Sequence, residues 1–90
     1  MKLTAFILRR CPYCLQAREL IGELCEEHPA FSSVEIEWID EAQNAALAEQ
    51  YDYYRVPSFF RGEEKLYEAD PLWSREEAKQ RLEEMLDKLV

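Results

Sequence analysis

The sequence predicts an α/β fold in which a four-stranded mixed sheet carries helices on both faces, in the order β-α-β-α-β-β-α. Three observations predict it. Residues 3 to 39 read as an apolar run, a helical stripe and an alternating run, the pattern of a strand, a crossover helix and a parallel strand. Two strand-like runs flank Gly62, too close together for anything but an antiparallel pair. A capped amphipathic helix follows them.

The first strand is "LTAFIL", Leu3 to Leu8. It is apolar on both alternating faces apart from Thr4, as a central strand covered on both sides requires. From Pro12 onward Ala17, Leu20, Ile21, Leu24 and Cys25 recur at i, i+3, i+4, i+7 and i+8, one stripe of a helix that Pro29 ends. In "SVEIEWI", Ser33 to Ile39, Val34, Ile36 and Trp38 alternate with Glu35 and Glu37, so one face is dry and the other wet, as on an edge strand. Asp40 then caps a second helix, "EAQNAALAEQY", residues 41 to 51. "VPSFF" and "KLYE" form the hairpin. Ser74 and Glu77 make a capping box, and Ala78, Leu82, Met85, Leu86 and Leu89 give the last helix its buried stripe.

At 90 residues the chain reads as one domain, 1 to 90, able to bury a modest core without an obligatory disulfide or structural metal. A formal charge of −8 sets nucleic acid and anionic membrane aside as partners, because phosphate neutralisation needs clustered Lys and Arg. The apolar run after Met1 and Lys2 is short for a signal peptide and is interrupted by Arg9 and Arg10, and no run approaches a membrane span. Three cysteines cannot all pair within one chain, so a reducing, cytoplasmic location is the expectation.

Cys11 and Cys14 stand where the first strand gives way to the first helix, with Pro12 fitting the first helical turn. Free N–H groups and the positive helix end, with Arg9 and Arg10 beside them, favour a thiolate on Cys11 and make it the nucleophile. Cys14 is in phase with Ala17 and Ile21 and so faces inward. Residues i and i+3 at a helix start lie roughly 5–6 Å apart, within the range a disulfide spans, so the pair suits an attacking and a resolving thiol. Cys11, Cys14, Cys25 and His28 also spell a zinc-like C-x2-C-x10-C-x2-H. A helix over residues 14 to 25 rises about 1.5 Å per residue and parts the two halves by roughly 16 Å, too far for one ion, so no metal is expected. Cys25 reads as a packed small hydrophobe and His28 as a helix-end residue. The local sequence reads Val56-Pro57 as an ordinary trans bond.

"CPYC" at 11 to 14, "RVPSFF" at 55 to 60 and the element order make the whole chain resemble the dithiol glutaredoxin family of the thioredoxin fold. The resemblance implies that Val56-Pro57 is cis and packs across from Cys11, with the Val56 backbone pairing to the cysteinyl part of a bound thiol peptide. It implies that Cys11 forms the mixed disulfide, that Cys14 resolves it, that Tyr13 lines a glutathione groove and that Asp70 holds the glutamyl amino group. Leu8 occupies the family's basic position three residues before the first cysteine, so Arg9 or Arg10 takes over that role. Arg55, where the family more often has threonine, offers a bidentate carboxylate contact. The family's glycine pair is replaced by Tyr67 and Glu68, which are expected to crowd the groove and to repel a ligand carboxylate.

The resemblance therefore implies a cytoplasmic, monomeric thiol-disulfide oxidoreductase with no bound cofactor. Glutathione is its electron donor, and protein or glutathione mixed disulfides are its substrates. The alternatives are a redoxin supplied by thioredoxin reductase and a non-catalytic or iron-sulfur-binding module of the same fold.

Overall fold

The computed structural model describes all 90 residues, Met1–Val90. Its strands are β1 (Lys2–Ile7), β2 (Glu35–Asp40), β3 (Ser58–Arg61) and β4 (Glu64–Glu68). Its helices are α1 (Pro12–Glu27), α2 (Ala45–Ala48) and α3 (Arg75–Asp87), with a 3-10 turn at Pro29–Ser33. The sheet order is β2-β1-β3-β4. β1 runs parallel to β2, with Ala5 opposite Trp38, and antiparallel to β3, with Ala5 opposite Phe59. The apolar first strand is therefore central, and the alternating second strand is an edge.

Alternation along β1 sends Leu3 and Ala5 to one face and Phe6 to the other. On the first face, α1 and α3 bury Leu20, Leu24, Leu82 and Leu86 against Leu3, Ala5, Phe59 and Tyr67. Each large side chain so buried contributes about 1.5–3 kcal/mol relative to exposure. Charges bind the outer edges of the same two helices: Glu23 accepts from Arg75 and Lys79, and the Arg75 guanidinium, then Lys79, hold the Glu23 carboxyl below its ordinary value.

The hairpin turns at Gly62, whose φ of 59° lies in the left-handed region that costs glycine nothing. A bulge shifts the β3–β4 register between Phe59 and Phe60, so that Phe59 faces Tyr67 and Phe60 faces Lys65. Phe59 and Tyr67 can then share the core face while Phe60 joins Phe6 on the other.

That second face is closed differently from the sequence reading. The expected helix over 41 to 51 is only one turn, Ala45–Ala48. Asp40 does not cap it. Asp40 extends β2 opposite Ile7, and its Oδ1 accepts the Ala42 N–H at 2.9 Å, closing a turn. The physical reason lies downstream. Tyr51 and Tyr53 both pack on Phe6, with ring centroids 4.7 and 5.1 Å away, and both reach Phe60. Residues two apart share a face only in extended backbone, and two tyrosines offer more apolar area than the alanines of a longer helix would.

Val56-Pro57 is cis, which corrects the trans reading of the local sequence and agrees with the resemblance. No helix is long and apolar enough to cross a membrane.

Candidate active site

Cys11 is the N-cap of α1, with φ −80° and ψ 118°, and Pro12 opens the helix. An N-cap leaves the first-turn N–H groups pointing back at its own side chain. Here the Cys14 N–H donates to Cys11 Sγ at 3.4 Å. The tight turn through Arg9 and Arg10 is fixed by the Cys11 N–H on the Leu8 carbonyl, 3.3 Å. From the opposite side, Val56 presents its carbonyl to the same sulfur, and Cys11 Sγ donates to it at 3.8 Å. The Pro57 carbonyl is tied in turn to the Ala69 N–H at 3.0 Å. Two segments 45 residues apart thus meet at one half-buried sulfur.

Cys14 is only 2% exposed. Burial pushes its thiol up to about 12, against a backbone hydrogen bond at Leu8 that favours the charged form, while Cys11 and Glu41 push with the burial. At neutral pH Cys14 is therefore an S–H group beneath an accessible sulfur. Cys25 is half-buried against the core. Because α1 is unbroken from Pro12 to Glu27, Cys14 and Cys25 lie about three turns apart on one helix.

A hollow of about 290 Å³ beside Cys11 is lined by Tyr13, Arg55 and Val56, with Leu8, Glu41 and Ala69. Arg55 also borders a second hollow of about 440 Å³, together with Asp70, Glu68 and Trp73. Tyr13, Arg55, Val56 and Asp70 therefore lie along one continuous depression. Asp70 Oδ1 already accepts the Leu72 N–H at 2.9 Å, closing a turn that orients the carboxylate. Arg9 is not brought into this depression: it lines a separate hollow with Trp38, Asp40 and Arg18. Arg10 is exposed and borders neither hollow.

Tyr67 and Glu68 take up positions the sequence reading did not expect. Tyr67 is largely turned into the core, and its remaining edge lines a narrow hollow of about 10 Å³ together with Tyr13 and Asp70. Its ring is 7% exposed, packed edge-on against Phe59 and Trp73, and burial pushes its hydroxyl up to about 12. Glu68 does border the depression, but its carboxylate is turned back on the chain. Oε2 accepts the N–H groups of Tyr54 and Arg55 at 2.6 and 2.7 Å, and Oε1 accepts from Lys65 at 2.8 Å. Burial alone would raise the Glu68 carboxyl, yet Lys65 and the two N–H groups outweigh it and hold it below the ordinary range. The segment that carries Val56 is thereby pinned by an internal anion.

Sequence reasoning missed Glu41 and Tyr53. The Tyr53 hydroxyl donates to Glu41 Oε2, and Glu41 lines the hollow beside Cys11. Burial first, and then the Glu41 carboxylate, push the tyrosine up. Only the end of the second strand hints at Glu41, because sheet ends are where sites form, and no spacing rule links it to Tyr53.

No family model matches the chain, and no curated protein matches its sequence. Solved structures do match it. A malarial protein superposes with a TM-score of 0.62 at 16% identity, covering 97% of this chain and 93% of that one. Thioredoxin 1 from the thermophilic eubacterium Thermosipho africanus TCF52B gives 0.60 at 21% identity, over 99% and 98% of the two chains. The fold is thioredoxin-like. A mutant thioredoxin from Halobacterium salinarum NRC-1 agrees, at 0.57 and 24% identity over 94% of this chain and 74% of that chain. In the thioredoxin-like frame β1 is the strand that delivers the chain to the Cys11 turn, and the loop before β3 faces it.

Proposed function

We propose that the chain is a thiol-disulfide oxidoreductase of glutaredoxin-like type that works as a reductant through Cys11 and Cys14. The observation that carries this is the meeting of Cys11 Sγ, held by the Cys14 N–H at 3.4 Å, with the Val56 carbonyl at 3.8 Å on the segment before cis-Pro57. Donors at the helix start stabilise negative charge on Cys11 sulfur. That sulfur attacks one sulfur of a substrate disulfide, and the other departs as a thiolate that takes up a proton. Cys14 then gives up its proton and attacks Cys11 Sγ. A Cys11–Cys14 disulfide forms and the second substrate thiol leaves, two electrons having passed to the substrate. Burial first, and then Cys11, hold the proton on Cys14, and the mixed disulfide removes the Cys11 charge and so eases its release.

Glutathione is the proposed electron donor. Tyr13, Arg55 and Asp70 along one depression support it, Arg55 as a partner for a carboxylate and Asp70 for an ammonium group. A second reading, supply by thioredoxin reductase, is favoured by Glu68, whose carboxylate already takes the Tyr54 and Arg55 N–H groups. The test is the rate at which oxidised protein is reduced by glutathione and, separately, by thioredoxin reductase with NADPH. Fast reduction by glutathione that weakens in Asp70→Ala supports the first donor. Fast reduction only by the reductase supports the second, and failure of both overturns the redox proposal.

A further inference from the structure

A trough of about 480 Å³ adjoins the hollow lined by Tyr13 and Val56, sharing Leu8, Glu41 and Tyr54 with it. Its existence follows from the shortness of α2. Ala42, Ala45 and Ala48 form the floor where a longer helix with larger side chains would fill the space. Tyr51 and Tyr53, held by their packing on Phe6, form the wall. At the end nearest Cys11, Leu8 and Tyr54 remain in water, Tyr54 being 89% exposed. The charged groups that line the trough are both acidic, Glu41 and Glu49. Glu41 gives one oxygen to the Tyr53 hydroxyl and keeps the other, while Glu49 makes no ion pair.

We propose that this trough holds the segment of a disulfide-bearing protein substrate that flanks its reactive cysteine. It selects a long aliphatic or aromatic side chain followed by lysine or arginine. The inference rests on the reading of Cys11 and Cys14 as the reducing dithiol. Continuity with the Cys11 hollow puts an extended chain in both at once, since a few residues at about 3.3 Å each carry it from the sulfur into the trough. The alanine floor accepts an apolar side chain, and the two carboxylates favour a cation beside it. A second copy of this chain is a poor occupant, because two bodies of charge −8 repel.

Three disulfide substrates test this with the pre-reduced chain, residues 1 to 90, at low ionic strength. They are bis(2-hydroxyethyl) disulfide and the disulfide-linked dimers of two short peptides, Cys-Phe-Lys and Cys-Phe-Glu, with blocked termini. Pre-reduced wild type, followed through one turnover to its Cys11–Cys14 disulfide, reduces the lysine peptide with a second-order rate constant about tenfold or more above the glutamate peptide, the factor that about 1.4 kcal/mol of discrimination provides. Glu49→Lys shrinks that ratio severalfold. Ala45→Trp, which fills the floor, lowers the rate on the lysine peptide to the level of the glutamate peptide. Both variants reduce the small disulfide at the wild-type rate, which also shows that they fold. Equal rates on the two peptides, or peptide rates unmoved by both substitutions, overturn the trough while leaving the dithiol reading intact. Failure of wild type on the small disulfide overturns the dithiol reading and this inference with it. A concentration-dependent wild-type dimer that Ala45→Trp dissolves would assign the trough to a second copy and also overturn it.

Discussion

Replacing Glu68 by alanine removes the internal anion that pins the segment before Pro57, and its cost can be worked from the contacts. Two N–H groups, on Tyr54 and Arg55, donate to Oε2 at 2.6 and 2.7 Å, and Lys65 reaches Oε1 at 2.8 Å. Hydrogen bonds to a charged group are worth about 1.5–3 kcal/mol each, and an exposed ion pair roughly 0–1 kcal/mol. Tyr54 and Arg55 are exposed, so water replaces the lost acceptor and the full penalty of a stranded donor does not apply. The net loss is then about 2 kcal/mol, or roughly 8–16 °C in Tm for a domain of this size. Urea unfolding followed by tryptophan fluorescence measures it.

The effect of pH provides a second, independent check on Glu68. Its carboxyl lies below the ordinary range in the fold, so its contribution is fully present above the unfolded value of about 4.3 and drains away as pH falls through the lowered folded value. The gap between wild type and Glu68→Ala should therefore be widest at pH 7 and narrow as pH falls below about 4.3. A Glu68→Ala protein as stable as wild type at pH 7, or a deficit that does not shrink as the medium is acidified, would refute the reasoning.

Stability should also fall at alkaline pH. Cys14 and Tyr67 are both pushed up to about 12 by burial, so their contribution is complete below the unfolded values of about 8.5 and 10 and is lost as pH rises toward 12. Urea midpoints of Cys14→Ala and Tyr67→Phe should decline less than wild type over that window. Ser74→Ala removes the oxygen that accepts the Glu77 N–H at 3.1 Å at the start of α3, and should cost about 1 kcal/mol, with Ser74→Asp close to neutral. Gly62→Val should cost about 1–2 kcal/mol through backbone conformation alone, since no heavy atom lies within 4 Å of an added Cβ. Comparable thermal midpoints for Gly62→Val and wild type would contradict the assignment of that turn.

Elements that announce themselves by burial pattern were legible in the sequence. The run Leu3 to Leu8, apolar apart from Thr4, falls on the central strand, which spans Lys2–Ile7 and leaves Leu8 outside it, and the stripe from Ala17 to Leu24 is a helix that does end before Pro29. The second helix was not legible, because "EAQNAALAEQY" satisfies a helical rule while the reason it unwinds lies in Phe6 and Phe60, distant in sequence. Its Asn44 N-cap makes no side-chain capping bond, the amide donating instead to the Asp40 carbonyl at 3.0 Å, and one turn with so little support is marginal. The cis bond at Pro57 belongs to the same class: nothing in "RVPSFF" alone favours it, and only the resemblance pointed there. Glu68 shows a third limit. Its charge and place could be read, but the direction of its carboxylate depends on the N–H groups of a loop fourteen residues earlier. Arg9 was read toward the dithiol from adjacency and from the family's basic position before the first cysteine, whereas the turn before α1 sends it to the β2 side.

The division of labour between Cys11 and Cys14 is tested most directly by intact mass. Reduced wild type, Cys11→Ser and Cys14→Ser are exposed to bis(2-hydroxyethyl) disulfide, quenched in acid and weighed, with the modified residue located by peptide mapping. The account predicts a mercaptoethanol adduct on Cys11 that persists in Cys14→Ser. Wild type should instead be two hydrogen atoms lighter, its Cys11–Cys14 disulfide closed, and Cys11→Ser should keep Cys14 unmodified. An adduct that forms on Cys14 in Cys11→Ser as fast as on Cys11 in Cys14→Ser would contradict it.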